Sequence, residues 1–206
     1  MKKVIVLPLA IVLITAFSCK KAKKEAKQEE TKQVYTIVED STDIRFTAYK
    51  TTEKKPVGGT FTKISYDYTS SETAMETLNG LEFSIPVSSL FTNDTTNTRD
   101  PKILHFFFGV MENTELISGV LQFDENQNCS AKLTMNGVSA ELPMEYEMAN
   151  DSHFTFSGTM DLTKWNALEA LASLNKACFD LHTGPDGVSK TWEDVAVKAS
   201  ILLEKK

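Results

Sequence analysis
Residues 138–162 read V-S-A-E-L-P-M-E-Y-E-M-A-N-D-S-H-F-T-F-S-G-T-M-D-L. Val138, Ala140, Leu142, Met144, Tyr146 and Met148 are apolar, separated by Ser139, Glu141, Pro143, Glu145 and Glu147. After Ala149-Asn150-Asp151-Ser152 the alternation resumes, with Phe154, Phe156, Gly158, Met160 and Leu162 set against His153, Thr155, Ser157, Thr159 and Asp161. A period of two is a strand with one dry and one wet face. Asn150-Asp151 between two such runs predicts a hairpin.

The same alternation extends in both directions. Upstream, Ala131, Leu133 and Met135 lead into Asn136-Gly137, a strong hairpin signal. Before that, Ile117, Gly119, Leu121 and Phe123 share a face, as do Leu81, Phe83, Ile85 and Val87, where Pro86 points to an edge or a strand end. Ile44, Phe46 and Ala48 alternate near the start, after a short apolar run Val34–Val38. Val57-Gly58-Gly59 opens a segment reaching Tyr68. Phe61 is out of phase with Ile64, Tyr66 and Tyr68, which predicts a bulge near the two glycines. Val195, Val197, Ala199, Ile201 and Leu203 form the last strand.

Helical spacing is confined to short stretches. Ser70–Thr77 has room for one turn. Arg99–Phe108 places Pro101 in a first turn and Ile103, Leu104, Phe107 and Phe108 on one side. From Thr163, a plausible N-cap, to Lys176, Trp165, Leu168, Leu171, Ala172 and Leu174 recur at three and four, predicting about three turns. Eight or nine antiparallel strands with one dry face each exceed what such helices cover. The sheet must cover itself as a sandwich or barrel, and about eight strands in a barrel leave an interior that side chains fill or one ligand occupies.

The N-terminus is a targeting segment. Lys2-Lys3 precede an unbroken apolar run Val4–Ile14, too short to span a bilayer as a helix. Thr15-Ala16-Phe17-Ser18-Cys19 resembles a bacterial lipoprotein signal, in which Cys19 becomes the lipidated first residue. The organisation expected is a signal peptide at 1–18, Cys19 with a polar tether to 32, and one β-domain at 33–206. The product is exported and anchored, through Cys19, on the periplasmic side of a membrane or at the cell surface. Residues 20–32, K-K-A-K-K-E-A-K-Q-E-E-T-K, are a solvated spacer. Residues 1–32 hold eight of the 22 basic and three of the 28 acidic residues, so 33–206 carry −11 against −6 for the whole chain. A domain that acidic is a poor nucleic-acid partner. A homodimer stays open.

Four stretches, in order and spacing, resemble the YceI-like polyisoprenoid-binding family. They are Tyr35-Thr36-Ile37 with Asp43-Ile44-Arg45-Phe46, Val57-Gly58-Gly59-Thr60-Phe61, Arg99-Asp100 with Phe107-Phe108, and Leu133-Thr134-Met135-Asn136-Gly137-Val138. The resemblance spans 34–205. It implies an all-β fold, an eight-stranded antiparallel lipocalin-like barrel with one or two short helices. Its apolar interior would hold an isoprenoid or similar long-chain lipid, of quinone or polyprenyl type. The helix at 164–176 and the loop to Lys190 depart from the pattern, as does Pro101-Lys102, where the family often has His.

An isoprenoid site needs apolar concavity and little else. The dry faces nominate Phe46, Tyr66, Phe83, Ile85, Leu133, Met135, Leu142, Met144, Tyr146, Phe154, Phe156, Val197 and Ile201 as its lining. From the residues alone the same faces describe a filled core, and a non-enzymatic interaction lipoprotein is the alternative. Cys178 and His182, with Asp186 and His105 as company, match no metal or nucleophile spacing, so no metal, cofactor or catalytic residue is assigned. Cys129 and Cys178 are the two cysteines left after lipidation and could pair. Arg99 and Asp100 are read as pairing with each other over the helical lid, or meeting a ligand headgroup.

Overall fold
The Asn136-Gly137 dipeptide turns the chain as its composition predicts. Both residues have positive φ, 53° and 67°, the conformation a two-residue hairpin turn requires. In the computed structural model, which describes residues 32–206, strands β1 (Tyr35–Ile37), β2 (Asp43–Lys50), β3 (Lys55–Phe61), β4 (Ser65–Asp67), β5 (Glu82–Pro86) and β6 (Leu90–Phe91) form the first half of the chain. The second half holds β7 (Leu116–Phe123), β8 (Cys129–Met135), β9 (Val138–Asn150), β10 (His153–Asp161) and β11 (Asp194–Lys205). The helices are α1 (Ala74–Leu78), α2 (Arg99–Phe106), α3 (Leu168–Ala177) and α4 (Phe179–His182). The signal segment, Cys19 and the tether as far as Thr31 lie outside the described residues.

All pairings are antiparallel. They join one sheet in the order β4-β5-β7-β8-β9-β10-β11-β2-β3-β6, with β1 added along β11. The sheet has eleven strands where the family pattern implies eight. The surplus comes from pieces of two or three residues, β1, β4 and β6, whose backbone pairs too briefly to show as alternation. The sheet curls so that its inner faces converge on one interior, but among the described residues no ladder joins β4 to β2 or β3. The two ends of the sheet are its shortest strands, which limits the open edge available for pairing with another chain.

Several local expectations change. No bulge lies at Gly58-Gly59, because the β2–β3 register runs unbroken from Lys50↔Lys55 to Arg45↔Thr60. Phe61 is out of phase with Tyr66 because the chain leaves the sheet between β3 and β4. The helix expected from Thr163 is interrupted. Leu162–Trp165 form a 3-10 turn, capped by the Asp161 carboxylate accepting from Thr163 N–H at 3.0 Å, and Asn166 is left-handed at φ 52° before α3 begins. The cap is therefore Asp161, not Thr163. Met148, on the dry face of the pattern, is 53 % exposed near the free end of β9.

The core lies in two clusters. One joins Ile85, Leu133, Met135, Leu142 and Trp165 to Phe107 and Phe108 beside α2 and Ala170 of α3. The other joins Tyr35, Ile37, Leu78, Phe154, Phe156 and Leu203 at the end where β1 and α1 pack. The β8–β9 turn is pinned to the first. Asn136 Oδ1 accepts from Glu112 N–H at 2.8 Å, and its Nδ2 donates to Trp165 O at 2.9 Å and Asn166 O at 3.1 Å. Asn136→Ala should cost about 2–3 kcal/mol, from those bonds and from the Cβ penalty at positive φ. Asn136→Gly, which removes only the bonds, should cost less. Urea midpoints of the two variants separate the contributions, and equal midpoints would show that the backbone conformation contributes nothing.

Candidate functional site
The inner faces leave a partly open cavity of about 220 Å³. Its wall is apolar almost throughout. β2, β5, β8, β9 and β11 supply Phe46, Ile85, Leu133, Leu142 and Val197. All the residues nominated from the dry faces stand on this wall except Tyr146 and Phe154. Those two lie deeper along the strands, in the second cluster. Tyr146 meets Phe123 edge-on at 5.4 Å and 90°, and Phe154 is fully buried, stacked at 6.2 Å and 12° on Phe156. Phe156 borders both regions, and the aromatic packing beyond it fills the space that the alternation alone left undecided.

Two rings set the shape of the cavity through glycines opposite them. Phe46 pairs across the strands with Gly59, and Phe83 with Gly119. A Cβ at Gly59 would come within 2.6 Å of Phe46 Cε1, and one at Gly119 within 2.6 Å of Phe83 Cζ. Each ring therefore lies over bare backbone. The glycines of the V-G-G-T-F stretch make room for an aromatic wall.

The helices contribute more than a lid. Ile103 of α2, Phe107 and Phe108 after it, and Leu171 and Leu174 of α3 all line the cavity. Their three-and-four spacing was visible in the sequence, but a helical stripe does not say whether it faces a void or a filled core. Ile44, Ala48, Ile117, Leu121 and Ala199, also on the wall, could have been found by extending each strand's face by two residues. Thr191 and Trp192 come from an aperiodic loop and carried no signal. Trp192 is held there by its Nε1–H donating to Thr51 O at 2.7 Å, with Lys190 Nζ 4.1 Å over its ring.

The polar residues singled out from the sequence are engaged structurally. Arg99 pairs with Asp94 at 3.8 Å, not with Asp100. Asp100 instead accepts from Thr92, through the hydroxyl and from the backbone N–H at 3.2 Å, tying α2 to the strand end. Thr96, Thr98 and Arg99 donate to Asp94, and its carboxyl is held down to about 2, first by the Thr96 hydroxyl. Cys129 and Cys178 are free and buried, so the pairing considered for them is not formed. Burial pushes the Cys129 thiol up to about 12 and raises that of Cys178 against the opposing pull of Lys102 and Lys50. Both are poor nucleophiles in this state. His182 Nδ1 lies 2.6 Å from Thr191 Oγ1, whose hydroxyl reaches Asn175 Oδ1 at 2.7 Å. Among the described residues no three His, Cys, Asp or Glu side chains gather as around a metal ion.

Burial, followed by Lys50 and Lys102, lowers His182 from 6.5 to about 4. The unfolded chain binds a proton below 6.5 that the folded chain refuses down to about 4. The contribution of neutral His182 is thus present above 6.5 and lost as pH falls towards 4. The melting temperature should decline between pH 6.5 and 5, and His182→Gln should flatten that decline. Parallel curves for the two proteins would remove His182 as the cause.

An antiparallel shell, curled round an apolar cavity and capped by two helices, defines a small β-domain built to enclose apolar matter. Residues 35–202 match the YceI-like domain family, and the chain belongs to it. No curated protein matches the sequence. Among solved structures, the chain is similar to a polyisoprenoid binding domain from Saccharophagus degradans implicated in plant cell wall breakdown, at 12% identity and a TM-score of 0.61 over 85% of this chain and 100% of that one. It is also similar to BcnA of Burkholderia cenocepacia, at 14% identity and a TM-score of 0.54 over 82% and 99%. At such identities the likeness is one of fold.

Proposed function
We propose that this protein binds an isoprenoid or similar long-chain lipid in its interior and serves as a membrane-tethered carrier or store on the periplasmic side. The observation that carries this reading is a partly open cavity with almost no polar wall, in a YceI-like domain whose fold resembles that of a polyisoprenoid binding domain. Burial contributes about 0.8 kcal/mol per CH₂, so a chain of a few isoprene units is held without any catalytic or metal group. Lipidation at Cys19 would keep the domain beside the bilayer that supplies its cargo.

Volume limits the unliganded state. An apolar cavity of about 150 Å³ takes up benzene. By that measure about 220 Å³ accommodates roughly two isoprene units. A longer chain must widen the cavity or leave its end outside. Met135, Met144 and Met160 on the wall are side chains that repack at low cost. The modest volume also favours a second reading, an interaction lipoprotein whose interior holds no cargo.

The experiment is native mass spectrometry of the full chain purified without added lipid, followed by organic extraction. A stoichiometric prenyl-chain adduct is the expected result and would name the cargo. A clean apo mass, with no uptake of added isoprenoid quinone, would overturn the carrier reading in favour of the second.

A further inference from the structure
Among the described residues three buried side-chain oxygens have no hydrogen-bond partner, those of Thr36, Thr51 and Tyr66. Of these residues only Tyr66 lines the cavity. Two other polar groups on the wall are committed: the Thr191 hydroxyl to His182 and Asn175, and the Trp192 indole N–H to Thr51 O. Tyr66 sits on β4, at the end of the sheet, and pairs with Phe83. Thr42, also on the wall, is beside it. The Thr42 hydroxyl makes no hydrogen bond to Tyr66 of ordinary geometry, and donates instead to Val38 O at a long 3.4 Å.

An unpaired buried hydroxyl is costly, so a native one calls for an explanation. We propose that Tyr66, with Thr42 beside it, is the polar end of the cavity, where the phenol donates a hydrogen bond to an uncharged oxygen of the bound lipid's head, such as a quinone carbonyl. This rests on the lipid-binding reading above and names the head that reading leaves open. The lipid then lies with its head at β4 and its tail towards Leu171, Leu174 and Trp192.

Charge selects the class of head. Burial pushes the Tyr66 phenol up to about 12, with the Thr42 hydroxyl opposing and the Glu39 carboxylate adding to the rise. The phenol is thus a neutral donor at any physiological pH. The charge that reaches it is negative, from Glu39. The cations that border the cavity, Arg45 and Lys198, sit between Ile44 and Phe46 and between Val197 and Ala199, so they alternate outward from the lining faces, and both are exposed. Arg45 is also bound to Asp43. A phosphate or diphosphate head placed at Tyr66 would lose its hydration, meet no inward-facing cation and face Glu39. A carbonyl would fill the vacant donor at small desolvation cost.

The test uses the full chain and its Tyr66→Phe variant. Each is titrated calorimetrically with an isoprenoid quinone, with a polyprenyl monophosphate and with a head-less isoprenoid hydrocarbon of matched length. The expected result is that Tyr66→Phe weakens quinone binding about fivefold, the usual net worth of one hydrogen bond, and leaves hydrocarbon binding unchanged. The free variant should melt at the same or a higher temperature than the parent, since an unmet hydroxyl has gone. Thr42→Val gives a second, smaller loss with the same selectivity if the first variant does not fold. Equal quinone affinity in parent and variant would overturn the assignment of Tyr66 while leaving the carrier reading intact. A parent that prefers the monophosphate would overturn the uncharged head. A parent that binds none of the three would overturn the carrier reading, and the assignment with it.

Discussion

Ala199→Phe should abolish lipid uptake without unfolding the protein. Ala199 faces the cavity from the middle of β11, between Phe156 of β10 and Ile44 of β2 in the register. It is only partly buried, bordering the cavity on one side and the second core cluster on the other. A phenyl ring there projects inward and occupies about as much room as one five-carbon unit of the cargo. At about 0.8 kcal/mol per buried carbon, excluding one unit forfeits about 4 kcal/mol. With about 1.4 kcal/mol per tenfold, that is on the order of a thousandfold in affinity. In a filled core the same substitution would be overpacking, costing about 1–3 kcal/mol of stability. Here the ring replaces a void, so the melting temperature should hold or rise. Titration with an isoprenoid quinone, followed by quenching of Trp192 on the wall, reads the first effect, and calorimetry reads the second. Unaltered affinity in a folded variant would mean that the lipid does not occupy this cavity.

Trp165→Ala should have the opposite signature, with a large loss of stability. Trp165 is fully buried in the first core cluster, and its Nε1–H donates to Leu133 O at 2.9 Å. It is not on the cavity wall; it stands behind Leu133 and fixes the 3-10 turn that leads into α3. Removing a large buried aromatic costs about 3–5 kcal/mol, and here a backbone carbonyl loses its partner as well. Against a total stability of about 5–15 kcal/mol, that is about a fifth or more of the fold's margin. For a domain of this size the melting temperature should fall by on the order of 10 °C. A fall of only a degree or two would show that α3 and the β8–β9 turn are held by other contacts. The binding enthalpy per mole of folded protein should change far less than in Ala199→Phe.

The contrast between these two sites shows what was legible in the chain. The alternation at 138–162 and its echoes determined nearly every long strand, because each residue's face depends only on its own parity. Asn136-Gly137 determined its turn because few residue pairs tolerate two positive φ values in succession. The helical stripes at 99–108 and after Thr163 were equally local. Their boundaries shifted where tertiary contacts intervened: the burial of Trp165 and the left-handed Asn166 broke one expected helix into a turn and a shorter helix.

Parity says that a side chain points inward, but not how far along the shell it lies or whether anything meets it there. Met144, Tyr146, Phe154 and Phe156 share the dry faces of β9 and β10, yet Met144 and Phe156 border empty space and the other two are packed out by Phe123 and its neighbours. That outcome depends on strands far apart in sequence. The same holds for Gly59 and Gly119, whose bareness acquired a purpose only when Phe46 and Phe83 were laid across them, and for Thr191 and Trp192, delivered to the wall by a loop without periodicity. Local composition determined an antiparallel β-domain with apolar inner faces. Only the closing of those faces, a matter of long-range contact and unfilled volume, decided that a cavity remains and that one unpaired hydroxyl, Tyr66, lies on its wall.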